Sequence, residues 1–273
     1  PFADVRVRRA VDYAIDKDEI AKAIGYGFYR AANQPAAHGS WFYNPIVVGY
    51  PYNPQKAKEL LTQAGYPNGF EFTLDCPNNR YVNDEEVCQA LVNMWARIGV
   101  KVKLNAMPFT TFAAKFQNMD TSAFMLGWGV ATFDALYMLQ ALARTRSGGA
   151  DGSFNFSKVS DPALDKLIDA MKSEMDVGKR NALIRDALIL VRDQALFIPL
   201  HHQVRPWAMK TTVETLHRSN DRPEARFTTV STVDFADLSR FSATPRALAR
   251  VSGSIRAAAS GARITSRAAV SKS

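Results

Sequence analysis

Apolar residues recur at helical spacing at Ala10, Val11, Ala14 and Ile15, and again at Ile20, Ala23 and Ile24. Residues 4–24 are therefore predicted as two helices in series. Asp16, with Glu19 three positions on, forms a capping-box-like pair that restarts the helix, and Gly25 can end it. Residues 26–52 are rich in Gly, Pro, Asn and aromatics and predict a long surface loop. Asn53-Pro54 then supplies an N-cap and a first-turn proline. Ala57, Leu60, Leu61 and Ala64 form the apolar stripe of that helix, and Gly65 closes it.

The pattern next switches between period two and period 3.6. Phe70–Leu74 alternates as a strand. Residues 84–98 predict a helix with Asp84 as its cap, Glu85 and Glu86 in its first turn, and Val87, Leu91, Met94 and Ile98 facing inward. Gly99 ends it. Val100, Val102 and Leu104 alternate with polar residues as a second strand. Phe109, Phe112, Ala113 and Phe116 make a helical stripe, Phe124–Trp128 a third strand, and Asp134–Arg144 a further helix. Strands and helices alternating at this short spacing imply an α/β unit with a mostly parallel sheet and flanking helices. Two more helices follow. Asp161-Pro162 caps one that buries Leu164, Leu167, Ile168 and Met171. Asp176 opens the other, which buries Ile184, Ala187, Leu188 and Val191. Phe197–Leu200 predicts a short strand. The domain reading is one lobe over residues 1–202, an extended return segment over 203–230 and a tail over 231–273.

That tail is rich in Ala, Ser and Arg, with few large apolar residues after Phe241. It buries too little to offset roughly 1–2 kcal/mol per residue of backbone ordering, so disorder is expected. It also changes how the net charge of +8 is understood. Six arginines and Lys272 stand there against Asp234 and Asp237, so the preceding 230 residues are nearly balanced. With no interleaved aromatics and no recognisable nucleic-acid-binding motif, the tail points to solvated disorder and not to a nucleic-acid partner. No run of 18 apolar residues occurs. The chain opens with Pro1 and shows no signal-peptide pattern, which reads as a piece of something longer.

Loops after the carboxyl ends of parallel strands are where ligands bind in open α/β sheets. Here they hold Asp75–Tyr81, Met107-Pro108 and Gly127–Asp134. Asn79, Arg80 and Tyr81 lie just before a helix N-terminus, which favours an anion. The Arg80 guanidinium can hold a carboxylate through two parallel hydrogen bonds, or it can bridge to Asp84 or Glu85 at the surface. Trp128, between two glycines that include Gly129, either borders a pocket or packs in the core. Asp134 either binds an ammonium group or caps its helix. Cys76 and Cys88 read as free thiols, one in a loop and one on a helix, with a disulfide as the alternative in an oxidising compartment. His201-His202 point to opposite faces of a strand and cannot share a metal. No third His or Cys clusters with them. No nucleophile–base arrangement, zinc motif, P-loop or GxGxxG is present. No cofactor is therefore expected, and no catalytic residue is assigned.

Three ordered segments carry a family likeness. Pro1-Phe2-Ala3-Asp4-Val5-Arg6-Val7-Arg8-Arg9-Ala10, running into Tyr13-Ala14-Ile15-Asp16-Lys17, resembles a signature of family 5 extracellular solute-binding proteins. These are the dipeptide- and oligopeptide-binding components of ABC importers. Ala57–Leu61 through Ala64-Gly65-Tyr66-Pro67-Asn68-Gly69-Phe70 resembles a second signature, and Asp161-Pro162 with Leu164–Ile168 a third. The resemblance covers about residues 1–230. It implies a type II periplasmic-binding-protein fold of two lobes, with the second lobe here and the first missing. It implies a small-molecule or peptide ligand, an ABC-type permease as partner, a monomeric full-length parent, and a periplasmic or lipid-anchored location. It places Arg80 where the family's arginine holds a peptide carboxylate. The family's amine-binding aspartate falls on Ala131, with Asp134 three residues on. The alternatives to a binding component are a truncated, non-functional fragment of one, or a hydrolase whose site is not legible.

Overall fold

The computed structural model describes residues 1–40, 42–129, 134–204, 207–218 and 222–231, and the backbone of 262–264. The chain divides into two compact units, Pro1–Gln203 and Val204–Ser273. The first opens with helices α1 (Val5–Tyr13) and α2 (Lys17–Ala23). Their caps follow from the sequence: Asp4 accepts from the Arg6 N–H, and Asp16 accepts from the Glu19 N–H at 2.9 Å. A buried ion pair, Lys17 Nζ to Asp12 Oδ1 at 2.7 Å, braces the two helices. Burial pushes the Asp12 carboxyl up from its ordinary range, and Lys17 opposes that shift. Strand β1 (Arg30–Ala31) and helix α3 (Pro54–Gln63) follow, the helix capped by Asn53 accepting from the Lys56 N–H.

The sheet is built from β2 (Glu71–Pro77), β3 (Lys101–Met107) and β4 (Ala123–Phe124), in the order β3-β2-β4 with both pairings parallel. Between them run α4 (Asp84–Ala96) and α5 (Phe109–Gln117), and α6 (Ala135–Leu142) follows. The predicted alternation of strands and helices around a parallel sheet is thus present. Gly69 makes it possible at the tightest point. Its φ is +75°, and a Cβ there would meet the Gly99 carbonyl oxygen at 2.0 Å. Phe72, Leu74 and Cys76 face one side of the sheet and pack with Val7, Val11, Leu61, Leu91 and Trp95. The other side is covered by α5, where Phe112 and Phe116 are buried with Phe156. A further core joins α6 to α7 (Pro162–Met171) and α8 (Val177–Asp193), through Leu139, Leu164, Ile168 and Leu188. Arg8 and Arg9 tie the first helix to that core, donating to the Gln194 and Asp193 carbonyls at the end of α8. Guanidinium groups suit these carbonyls because the last turn of a helix leaves them unpaired.

Several expectations are corrected. Strand β2 runs three residues beyond Leu74, because Asp75, Cys76 and Pro77 pair with Asn105, Ala106 and Met107. The Asp75 carboxylate is satisfied there by Asn105 Nδ2 at 2.7 Å. Strand β4 is two residues long and not five, since only Leu74 and Asp75 of β2 partner it. The residue before α4 is Asn83, in a left-handed conformation (φ 55°) with no side-chain cap bond, and Asp84 lies inside the helix. The strand expected at Phe197–Leu200 forms instead as β5 (His201–His202), antiparallel to β1. Leu167 is half-buried. Cys76 and Cys88 are a disulfide and not free thiols. The reason is the longer strand. Cys76 is not in a loop but on β2, with its side chain turned toward α4 and fully buried beside Cys88.

In the second unit β6 (Ala208–Lys210) precedes an antiparallel pair, β7 (Val213–Thr215) with β8 (Thr228–Val230). Of the tail expected to be disordered, Ala262–Ile264 forms β9, antiparallel to β6. Residues 232–261 and 265–273 lie outside the described residues. No helix among the described residues is long and apolar enough to cross a membrane.

The disulfide spans a separation of twelve residues. Closing a loop of that size stabilises by about 3 kcal/mol on the chain-entropy account. Replacing both cysteines by alanine should lower the unfolding free energy by roughly that amount. Urea titration of the oxidised protein and the double variant measures it, and equal midpoints would show that the crosslink adds nothing.

Candidate functional site

The carboxyl ends of β2, β3 and β4 release three loops on one edge of the sheet. Asn78–Asn83 follows β2, Pro108 follows β3, and Met125–Gly129 follows β4. The first loop is held from every side. Asp84, buried at the start of α4, turns its carboxylate back to accept from the Arg80 N–H at 2.9 Å and the Tyr81 N–H at 3.0 Å. Asn83 donates to the Ile24 carbonyl, and the Val82 carbonyl accepts from the Tyr29 hydroxyl. The disulfide closes the base of the loop, from the end of β2 to the second turn of α4. A loop with so many fixed groups is pre-organised, which lowers the entropy lost on binding.

Arg80 is the exposed product of that arrangement. Its guanidinium carbon stands 5.6 Å from the Tyr81 ring centroid and 5.1 Å from that of Phe109, within cation–π range of both. Among the described residues no carboxylate lies within ion-pair distance of it. The surface bridge to Asp84 or Glu85 does not form, because the Asp84 carboxylate is taken by backbone N–H groups. Asn79 has a different duty. Its Oδ1 accepts from the Phe109 N–H at 2.8 Å, capping α5 where Pro108 offers no side chain to do so. Tyr81 bridges two loops. Its ring lies so close to Gly127 that a Cβ there would stand 2.7 Å from Cε1. A side chain at Gly127 would have to displace that ring, whereas Gly129 is exposed with open space around it.

Trp128 is half-buried. Its ring meets Tyr137 at 5.5 Å and Phe154 edge-on at 5.0 Å, and its indole N–H is buried with no acceptor among the described residues. Asp134 is committed elsewhere. It caps α6 by accepting from the Leu136 N–H at 2.8 Å, and Arg180 Nη2 contacts both its oxygens at 2.9 Å. The capping reading holds in the structure, and the carboxylate is already paired with a cation. Ala131 lies outside the described residues.

Phe109 is the neighbour of Arg80 that sequence reasoning missed, whereas Gly127, which packs on Tyr81, already stood in one of the candidate loops. Gly127 carried a visible signal, sitting beside Trp128 at a strand end. Phe109 looked like one more member of a helical stripe. His201 stacks on Tyr29 at 4.2 Å, nearly parallel, and Tyr29 holds the Arg80 loop through Val82. Burial, aided by the neighbouring His202, pushes the His201 imidazole down to about 4. Among the described residues no group of three or more His, Cys, Asp or Glu side chains could hold a metal.

This geometry has relatives. Residues 1–150 match the model of the bacterial extracellular solute-binding proteins, family 5, middle region. The chain belongs to that family. It is 30% identical over 207 residues to heme-binding protein A of Haemophilus influenzae, covering 75% of this chain and 37% of the relative. It is 32% identical over 220 residues to di/tripeptide-binding protein 1 of Pseudomonas aeruginosa, covering 78% of this chain and 40% of the relative. Among solved structures it resembles the ABC transporter-associated periplasmic binding protein DppA of Helicobacter pylori in complex with the peptide STSA. That match has 28% identity and a TM-score of 0.69, over 74% of this chain and 39% of the other. The fold is thus α/β, of the type II periplasmic-binding-protein kind, and the chain spans about two fifths of the length of the relatives it matches.

Two outcomes test the local geometry. Gly127→Ala should force the Tyr81 ring off the β4 loop, at under about 1 kcal/mol of stability. Loss of the nuclear Overhauser contact between the Tyr81 ring and residue 127 reports it, and a retained contact contradicts it. For His201 the folded form holds the imidazole neutral below its ordinary value of 6.5. The unfolded chain therefore binds the proton first, and stability falls as pH drops from about 6.5 toward about 4. His201→Phe keeps a ring against Tyr29 and should flatten that slope in melting curves across the window.

Proposed function

We propose that this chain is the ligand-gripping part of a substrate-binding component of a peptide-type ABC importer, and that it binds a small carboxylate-bearing solute such as a peptide. The single observation that carries this reading is the Arg80 guanidinium, held over two rings on a braced loop with no carboxylate opposite it among the described residues. An exposed, oriented, unpaired guanidinium at the carboxyl edge of a parallel sheet is suited to a carboxylate through paired hydrogen bonds. The relatives named for dipeptides and tripeptides, and the resemblance to a protein solved with a peptide, support a peptide-like ligand. Asn79 and Tyr81 position the arginine, Trp128 and Gly129 border the site, and Asp134 maintains α6. On this reading the protein binds and releases its solute without catalysis, by closure of lobes around it, and hands it to a membrane permease.

An extracytoplasmic location is part of the same proposal. The buried disulfide supports it, because such bonds persist in oxidising compartments, and so does a relative described as periplasmic.

Titration calorimetry with dipeptides tests the reading. Arg80→Ala should weaken binding by roughly thirtyfold or more, the loss of a charge-assisted pair of about 2–5 kcal/mol. Arg80→Lys should recover part of it, because an ammonium lacks the two-pronged geometry. The unfolding free energy should stay within about 1 kcal/mol of wild type, since among the described residues the guanidinium pairs with no carboxylate. Unchanged affinity in Arg80→Ala removes Arg80 from the site.

A further inference from the structure

The loop that carries Arg80 is tied, beyond the arginine, to the segment between α2 and β1. Asn83 Nδ2 donates to the Ile24 carbonyl at 2.9 Å, and the Tyr29 hydroxyl donates to the Val82 carbonyl at 2.5 Å. Val82 is two residues past Arg80. Tyr29 is buried, and its approach depends on Gly25, where a Cβ would stand 2.4 Å from the Tyr29 Cβ. The turn that delivers it is closed by the Phe28 N–H donating to the Gly25 carbonyl at 2.8 Å. Burial and the nearby Asp84 and Glu86 carboxylates push the Tyr29 hydroxyl up from its ordinary value, so it stays a donor.

The Tyr29 ring is backed in turn by β5. In the β1–β5 pairing Ala31 stands opposite His201, and Arg30 opposite His202. Tyr29 lies two residues before Ala31 and on the same face, so His201 is its diagonal cross-strand neighbour. His202 points to the other face. The register thus decides which histidine backs the ring. The two rings stack at 4.2 Å with their planes 7° apart. His201 Nδ1 is buried with no hydrogen-bond partner among the described residues, and what His201 offers Tyr29 is its ring face.

These contacts make one line, from His201 through Tyr29 and Val82 to Arg80. The other ties of the loop hold different groups: Asp84 takes the Arg80 and Tyr81 N–H groups, and Asn83 uses its side chain. The Tyr29 hydroxyl fixes the peptide plane between Val82 and Asn83. A guanidinium makes two parallel bonds to a carboxylate only when it is held close to one geometry. We propose that Tyr29 and His201 are positioning residues for the ligand carboxylate, the hydroxyl pinning the Arg80 loop and the imidazole ring keeping Tyr29 in place to do so. This rests on the assignment of Arg80 and goes beyond it by giving a share of carboxylate recognition to two residues outside the three loops at the sheet edge.

Titration calorimetry of the full chain with Ala-Ala and with Ala-Ala amide, which lacks the terminal carboxylate, tests it. The wild type should prefer the acid by roughly thirtyfold, the factor expected for Arg80. Tyr29→Phe keeps the stacked ring and removes the hydroxyl. It should cut that preference about threefold to tenfold, the span of one neutral hydrogen bond, and leave the affinity for the amide unchanged. His201→Ala should cut it by a similar factor, and His201→Phe should restore it. In an Arg80→Ala background Tyr29→Phe should have no further effect. Melting curves show that each variant is folded. A merely structural role for the pair would weaken acid and amide alike, and the effect of Tyr29→Phe would persist without Arg80. Either result overturns the proposal and leaves Arg80 in place, as does an acid preference unchanged in both Tyr29→Phe and His201→Ala. A wild-type chain with no preference for the acid, or an Arg80→Ala variant with wild-type affinity, overturns the Arg80 reading and the positioning roles with it.

Discussion

Strand β2 lies between β3 and β4, so its parallel pairing on both sides fixes where two of the three candidate loops leave the sheet. Seven residues of β2 are in register with seven of β3. Side chains alternate across a strand, and a slip of one position would exchange the faces. It would put Phe72, Leu74 and Cys76 against α5 and move Asp75 into the apolar core beneath α1 and α4. The buried Asp75–Asn105 contact adds a polar check on the same register. Once the register is set, Cys76 faces α4, the disulfide can close, and the loop carrying Arg80 has a fixed base.

Asp84 shows how the loop can be charged without neutralising its arginine. A carboxylate four residues from Arg80 would ordinarily be its ion-pair partner. Here Asp84 is buried, and its oxygens are taken by the N–H groups of Arg80, Tyr81 and Glu85. The carboxylate thus shapes the backbone and the guanidinium stays available. The Tyr81 and Phe109 rings orient it without competing for its N–H groups. The same chemistry explains the first family-like segment. Arg8 and Arg9 clasp the last carbonyls of α8 and join two cores, a structural role unrelated to the ligand.

Helices were legible where cap and stripe agreed. Asn53-Pro54, Asp161-Pro162 and Asp176 each start the helix they were read to start, and Gly65 and Gly99 end theirs with positive φ. Strand ends were not legible. Asp75 and Pro77 are poor strand residues by composition, and a parallel partner with Asn105 at the right place outweighed that preference. That one misjudged boundary also hid the disulfide, because it left Cys76 in a loop. His201-His202 carried no apolar alternation, and its pairing with β1 is a tertiary fact. In the site, Arg80 and Trp128 stood out by residue type and place. Phe109, beside the Arg80 guanidinium, could not be chosen from many other aromatics until the chain was folded.

The distribution of charge around the site carries a consequence for the ligand. Asp134 stands three residues after Ala131, the position where the resemblance places the family's amine-binding aspartate, and Arg180 already contacts both of its oxygens. Removing that carboxylate from Arg180 to serve a ligand ammonium would break one charge-assisted pair to make another, with little net gain. Among the described residues Arg80 has no such competitor. On the reading proposed here, the described part of the site therefore rewards a negative group strongly and a positive group weakly. A small, strongly dipolar ligand would use only the arginine.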